Sequence, residues 1–175
     1  MKVIEIMTSN PVFLHDSDFM THARQVMRDR HLRTLPVVDG NNRVTGMLEE
    51  KELLNIYSTK SNVTVGGFAS GFPYVYPETD MMEAAKLMIN AGLGRVPVLK
   101  SSQDKTLAGI LSIADIFRNM KPEKIPKINI GKIMTVSVKT CSPEENIAKV
   151  WLNMRETGFS GFPVVRKKEV IGMVT

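Results

Sequence analysis

Arg95-Val96-Pro97-Val98-Leu99, a polar turn at 101–105, then Leu107-Ala-Gly-Ile-Leu-Ser-Ile-Ala-Asp-Ile116 is the stretch that decides the fold. Two short apolar runs flank a turn, and Ser112 then opens a helical pattern through Ile113, Ile116 and Phe117. The proline recurs as Pro36 in Leu35-Pro-Val-Val38 and as Pro163 in Phe162-Pro-Val-Val165. Nine residues before the prolines stand Met27, Met88 and Met154, and four before those Ala23, Ala84 and Val150. Asp16, Pro77 and Pro143 lie eleven before the methionines, and Met7, Phe68 and Met134 nine before those. The register needs no gap over that stretch, and a glycine returns downstream as Gly46, Gly109 and Gly172. Three copies of one unit are therefore written into the chain.

The second copy reads as strand, helix, strand, strand, helix. Phe72–Tyr76 is rich in β-formers and ends at Pro77. Asp80 is an N-cap acid with Glu83 three residues on, and Met81, Ala84, Ala85 and Met88 fall on one helical face. Gly92 and Gly94 stop that helix. In the third copy Ser142-Pro-Glu-Glu145 predicts a capping box, with Ile147, Val150, Trp151 and Met154 as the core face. In the first, the face is Met20, Ala23 and Met27. The twelve methionines read as core filler. Copies are assigned to residues 1–60, 61–120 and 128–175, with 121–127 as a linker. Units near 60 residues are small for independent folding, so the first two should pair sheet to sheet with pseudo-twofold symmetry.

Composition narrows the function. Apolar residues make up 43% of the 175, as in soluble globular proteins, and no apolar run can cross a bilayer. One cysteine, Cys141, excludes an intrachain disulfide and makes a reducing cytoplasm the default. His15, His22 and His31 lack metal-ligand spacing. The net charge of +5 permits anionic ligands, but the few aromatics are not interleaved with basic residues, which disfavours nucleic acid. Arg166-Lys-Lys-Glu169 reads as a solvated hairpin turn. No nucleophile–base order, P-loop or paired metal ligands point to an enzyme.

A strand with x-Pro-Val-Val, a turn, then a hydrophobic-x-Gly-Ile strand running into Ser-x-x-Asp resembles the CBS domain family. The matching stretches are Leu107 to Ile116, Val44-Thr-Gly-Met-Leu-Glu-Glu-Lys-Glu-Leu53, and Val170-Ile-Gly-Met-Val-Thr175. The resemblance covers nearly the whole chain. It implies an α/β (α+β) fold of tandem β-α-β-β-α repeats and a regulatory module rather than an enzyme. The clefts between paired repeats would bind an adenosine ligand: AMP, ADP, ATP or S-adenosylmethionine. No cofactor is required.

By that resemblance Asp115 holds the ribose and Ser112 the phosphate, with Leu111 in apolar contact. Val65, Phe68 and Ser70 wall the adenine, and Arg33 reaches the phosphates from the partner repeat. Glu52 and Arg95 form a weaker second cleft, because Glu49 brings negative charge to the hydroxyl position. Ser112-x-x-Asp115 equally reads as a helix cap, and the two roles are compatible. Thr175 stands at the third hydroxyl position, with its acid and closing helix beyond the chain given. This predicts a fourth repeat, or a second chain covering the third copy. A homodimer, an unidentified regulated protein and no membrane complete the expected partners. The competing reading is a ligand-free interaction scaffold.

Overall fold

The computed structural model describes residues 1–53, 62–121, 128–159 and 161–175. The expected linker at 121–127 and the first repeat boundary lie almost wholly outside them. The chain divides into two compact units, Met1–Pro122 and Glu123–Thr175.

In the first unit, β1 (Leu14–His15) lies parallel to β2 (Thr34–Val38), which is antiparallel to β3 (Val44–Glu49). Helix α1 (Met20–Arg30) joins β1 to β2, and α2 (Glu50–Leu53) follows β3. The second repeat supplies α3 (Met81–Ala91), the hairpin β4 (Arg95–Leu99) and β5 (Leu107–Ser112), and α4 (Ile113–Asn119). The strand expected at Phe72–Tyr76 contracts to one bridge, Val75 to Val98. Pro73 and Pro77 withhold the N–H groups that a longer ladder would need.

The expected helix faces are buried. Met20, Ala23 and Met27 pack with Leu14, Leu35, Val37, Leu48 and Leu53. Met81, Ala84, Ala85 and Met88 pack with Val96, Val98, Leu111 and Ile116. Each core also takes a residue from the opposite repeat. Val3, in a 3-10 turn at Val3–Glu5, joins the second repeat's core, and Val65, in the turn Val65–Gly67, joins the first.

Backbone hydrogen bonds fix this exchange. Thr8 and Ile110 exchange N–H to carbonyl bonds of 2.9 and 3.0 Å, and Ser70 and Met47 do the same at 3.1 and 3.0 Å. The recurring glycine makes both contacts possible. A Cβ on Gly46 would lie 2.6 Å from the Ser70 carbonyl oxygen, and one on Gly109 2.7 Å from that of Thr8. The ungapped register is corrected here. Val3 matches Val65, whereas Leu14 matches Val75, so the second repeat is one residue shorter between turn and bridge.

The second unit holds α5 (Ile147–Thr157) and the hairpin β6 (Phe162–Arg166) and β7 (Glu169–Val174). Lys167 and Lys168, at φ 48° and 70°, form its two-residue turn, as the charge run predicted. Helix α5 begins at an Asn146 cap, whose side chain accepts from the Ala148 N–H, and not at Ser142. The Ser142 N–H instead donates to Glu145, as His15 donates to Asp18 and Tyr76 to Thr79. In all three repeats this polar turn precedes the helix, so Ser142–Glu145 is a lead-in. Cys141 is buried with Val150 and Phe162, where Leu14 and Val75 sit in the other repeats.

Of the face expected on α5 only Val150 is buried; Ile147 and Trp151 are exposed. With Met154 and Val174 they line an open groove of about 340 Å³. Leu53 and Ile116 cover the equivalent face in the first two repeats, and no described residue does so here.

Gly109→Ala forces a methyl against the Thr8 carbonyl and should cost about 1–3 kcal/mol, read as a lower urea midpoint at unchanged slope. In the first unit acid should act through three carboxylates. Asp39 is held below its ordinary value by the Arg43 N–H, Asp80 by the Met82 N–H, and Asp104 by the Thr106 hydroxyl. Their stabilisation is complete above about pH 4, the unfolded value, and is lost as pH falls through their lower folded values. A urea midpoint that is flat down to about pH 5 and drops below about pH 4, less steeply in Asp80→Asn, checks this.

Candidate functional site

Ser112 ends β5 and caps α4. Its N–H donates to Asp115 Oδ2 at 3.0 Å and its hydroxyl donates to the same oxygen, while the Asp115 N–H donates to Ser112 Oγ at 3.3 Å. This reciprocal pair is a complete capping box. Arg118 donates to Asp115 Oδ1 at 3.3 Å, from a side chain 76% exposed against 15% for the aspartate. One carboxylate oxygen is thus committed to the fold, and the other is held by a surface cation that a ligand hydroxyl can replace. The Ile113 N–H donates to the Gly94 carbonyl. The N–H groups of Ile113 and Asp115, in the first turn of α4, are therefore both in use.

The other expected residues are distributed differently. Leu111 and Val65 are fully buried core residues and present no side-chain surface to a ligand. Phe68 packs against the first repeat's core, and Ser70 is bonded to Met47 in β3. The segment at 65–70 therefore borders the strand that leads to Glu49 and Glu52. The segment bordering β5, and hence the Ser112 corner, is Met7–Thr8. The resemblance put the 65–70 segment beside Ser112 and Asp115, on the wrong side of the exchange; the repeated glycine was the available signal.

The two arginines are not equivalent. Arg95 pairs across the hairpin with Ser112, and its counterpart opposite Glu49 is Thr34. Arg33 matches Gly94: its carbonyl accepts the Glu50 N–H at 2.8 Å, as Gly94 accepts that of Ile113. The Arg33 side chain is 3.9 Å from Glu50. Glu49 pairs with Lys51 at 2.8 Å, which raises the lysine pKa. Glu52 is half-buried in α2. The first-repeat corner is thus a set of ion pairs, whereas the second offers a hydroxyl, an acid and Arg95. Among the described residues no three potential metal ligands cluster, and no helix is long and apolar enough to span a membrane.

All three repeats match the CBS domain, over residues 3–59, 65–122 and 130–175. The chain belongs to the CBS domain family. A homoserine O-acetyltransferase of Methanococcus vannielii is 31% identical over 106 residues, which cover 59% of this chain and 21% of that protein. The chain spans 31%, 21% and 19% of the lengths of three curated relatives. A Methanocaldococcus jannaschii protein described as a putative archaeal homologue of the γ subunit of AMPK has the same fold, with a TM-score of 0.84 at 20% identity, over 100% of this chain and 69% of that one. CBSX2 in complex with AMP superposes with a TM-score of 0.59 at 24% identity, over 67% of this chain and 93% of that one.

Ser112→Ala removes both capping bonds of the hydroxyl and should cost about 0.5–2 kcal/mol. Urea denaturation measures it; Ser112→Thr, which keeps the hydroxyl, should recover most of the loss.

Proposed function

We propose that this CBS domain protein is a non-enzymatic regulatory module that binds an adenosine ligand at the Ser112–Asp115 corner. The carrying observation is the Asp115 carboxylate, poised at a strand-to-helix junction with one oxygen held, among the described residues, by exposed Arg118. In this reading Asp115 Oδ1 accepts from the ribose hydroxyls, and Ser112 and Arg95 face the phosphate. Met7 and Thr8 replace Val65, Phe68 and Ser70 as the neighbouring wall. The AMP complex of CBSX2 supports the ligand class. The repeat boundaries, a cytoplasmic setting and a homodimer belong to the same proposal. The ligand acts on a partner only by preferring one arrangement of the repeats.

The second reading, a ligand-free scaffold, is favoured by the completeness of the capping box. The two part on titration. AMP, ADP, ATP and S-adenosylmethionine are tested in turn by calorimetry and thermal shift. Nucleotide at a hundredfold over Kd should stabilise the folded state by about 2.7 kcal/mol, and Asp115→Ala should abolish the heat while Glu52→Ala keeps it. Silence from all four ligands would leave the scaffold reading standing.

A further inference from the structure

The hairpin ends of the first two repeats meet away from the Ser112–Asp115 corner. Arg43 and Thr106 form a backbone bridge there, and the Asn42 carbonyl accepts the Leu107 N–H at 3.1 Å. The first lead segment runs beside this junction. Between its exchange contact at Thr8 and Leu14 it spans 9–13, where the second, between Ser70 and Val75, spans 71–74. The extra residue puts Ser9-Asn10 where the second repeat has Gly71. Against that stretch lies a cavity of about 320 Å³. Ser9, Asn10, Asn42 and Lys100 line it, and among the described residues their side chains make no hydrogen bond or ion pair. No carboxylate among the described residues lines it. Asp104, close enough to feel the Lys100 charge, accepts instead from the N–H and hydroxyl of Thr106. Asp39 is likewise spent on its own turn, accepting from the Asn41 and Arg43 N–H groups. The lining also has apolar surface. Phe13 is 40% exposed and braced edge-on by His15 at 5.5 Å between ring centroids, and Pro11 is half-buried.

We infer that this cavity binds a small carboxylate with an apolar body. Its oxygens take the Lys100 ammonium and the side-chain N–H groups of Asn10 and Asn42, and its body lies against Phe13 and Pro11. The volume is at the low end for small-molecule sites, and an apolar wall with a few convergent polar groups is their usual make-up. Free donors with no facing carboxylate set the sign of the ligand. One ammonium matches one negative charge, and a phosphate dianion would be left half-neutralised. The site is separate from the corner. Leu107, in its lining, stands about 16 Å along an extended strand from Ser112, and neither Ser112, Asp115 nor Met7 lines the cavity. Carboxylate binding here is therefore independent of any nucleotide at the corner.

The test uses the full 175-residue chain, labelled with nitrogen-15 and titrated with benzoate, benzamide and inorganic phosphate. Benzoate should shift the amide signals of Asn10, Asn42 and Thr106 saturably, with a Kd of about 1 mM or below. Benzamide, which lacks the charge, and phosphate, which lacks the apolar body, should each bind about tenfold more weakly or worse. Lys100→Gln, at an exposed position, should weaken benzoate to the same degree with the circular dichroism spectrum unchanged. Asp115→Ala should leave the benzoate titration as it was. No shift around the cavity, or benzoate binding that survives Lys100→Gln, overturns the site. Benzamide or phosphate binding as tightly as benzoate overturns the ligand class. Loss of the benzoate shifts in Asp115→Ala overturns the independence from the corner.

Discussion

The fold depends on a backbone passing over a glycine. At Gly46 and Gly109 a carbonyl oxygen occupies the space of a missing Cβ, and the strand beside it gains two hydrogen bonds. Those contacts place Val65 inside the first repeat's core and Val3 inside the second's. A repeat of roughly 60 residues buries too little of its surface to stand well alone. Taking a buried turn from its neighbour and giving one in return joins two marginal cores into one cooperative unit. The glycine is thus a docking feature, and its spacing recurs because the docking recurs.

Most of the elements were legible in the sequence. Methionine and alanine at helical spacing put α1 and α3 in place, and the proline-marked apolar runs gave all three hairpins. What failed was non-local or degenerate. Ser142-Pro-Glu-Glu145 and Asn146 both satisfy the rules for a helix start, and only the shared bond made by Asp18, Thr79 and Glu145 separates them. The one-residue difference before Val75 is invisible to an ungapped comparison. The direction of the exchange is set by tertiary pairing, to which local pattern is blind, so Ser70 went to the Asp115 side when it belongs beside Met47.

The same limit governed the site. Ser112 and Asp115 were found from their motif, and the structure puts them in the cap that the motif alone implies. The resemblance assigned Leu111 to a ligand together with Ser112, but alternation along a strand sends neighbours to opposite faces. Leu111 faces the helices and Ser112 faces away from them. Arg33 and Arg95 each precede an apolar run, yet a difference of one position along a strand changes the face. Opposite Ser112 that position holds a cation; opposite Glu49 it holds Thr34.

In the proposed reading, that asymmetry decides how a nearly symmetric pair can report a ligand. At the first-repeat corner Glu49 is held by Lys51 and Glu50 by Arg33, so an anion entering there must displace paired charges and then face two carboxylates. At the second corner the fold spends one carboxylate oxygen on its own helix and leaves Arg118, an exposed cation, on the other. Exposed pairs of that kind contribute roughly 0–1 kcal/mol, so exchanging the arginine for a ribose costs little. Occupancy of one corner and not the other removes the equivalence of the two repeats. In the proposed reading a ligand at that one corner acts on a partner protein only by its differential affinity for two arrangements of the repeats.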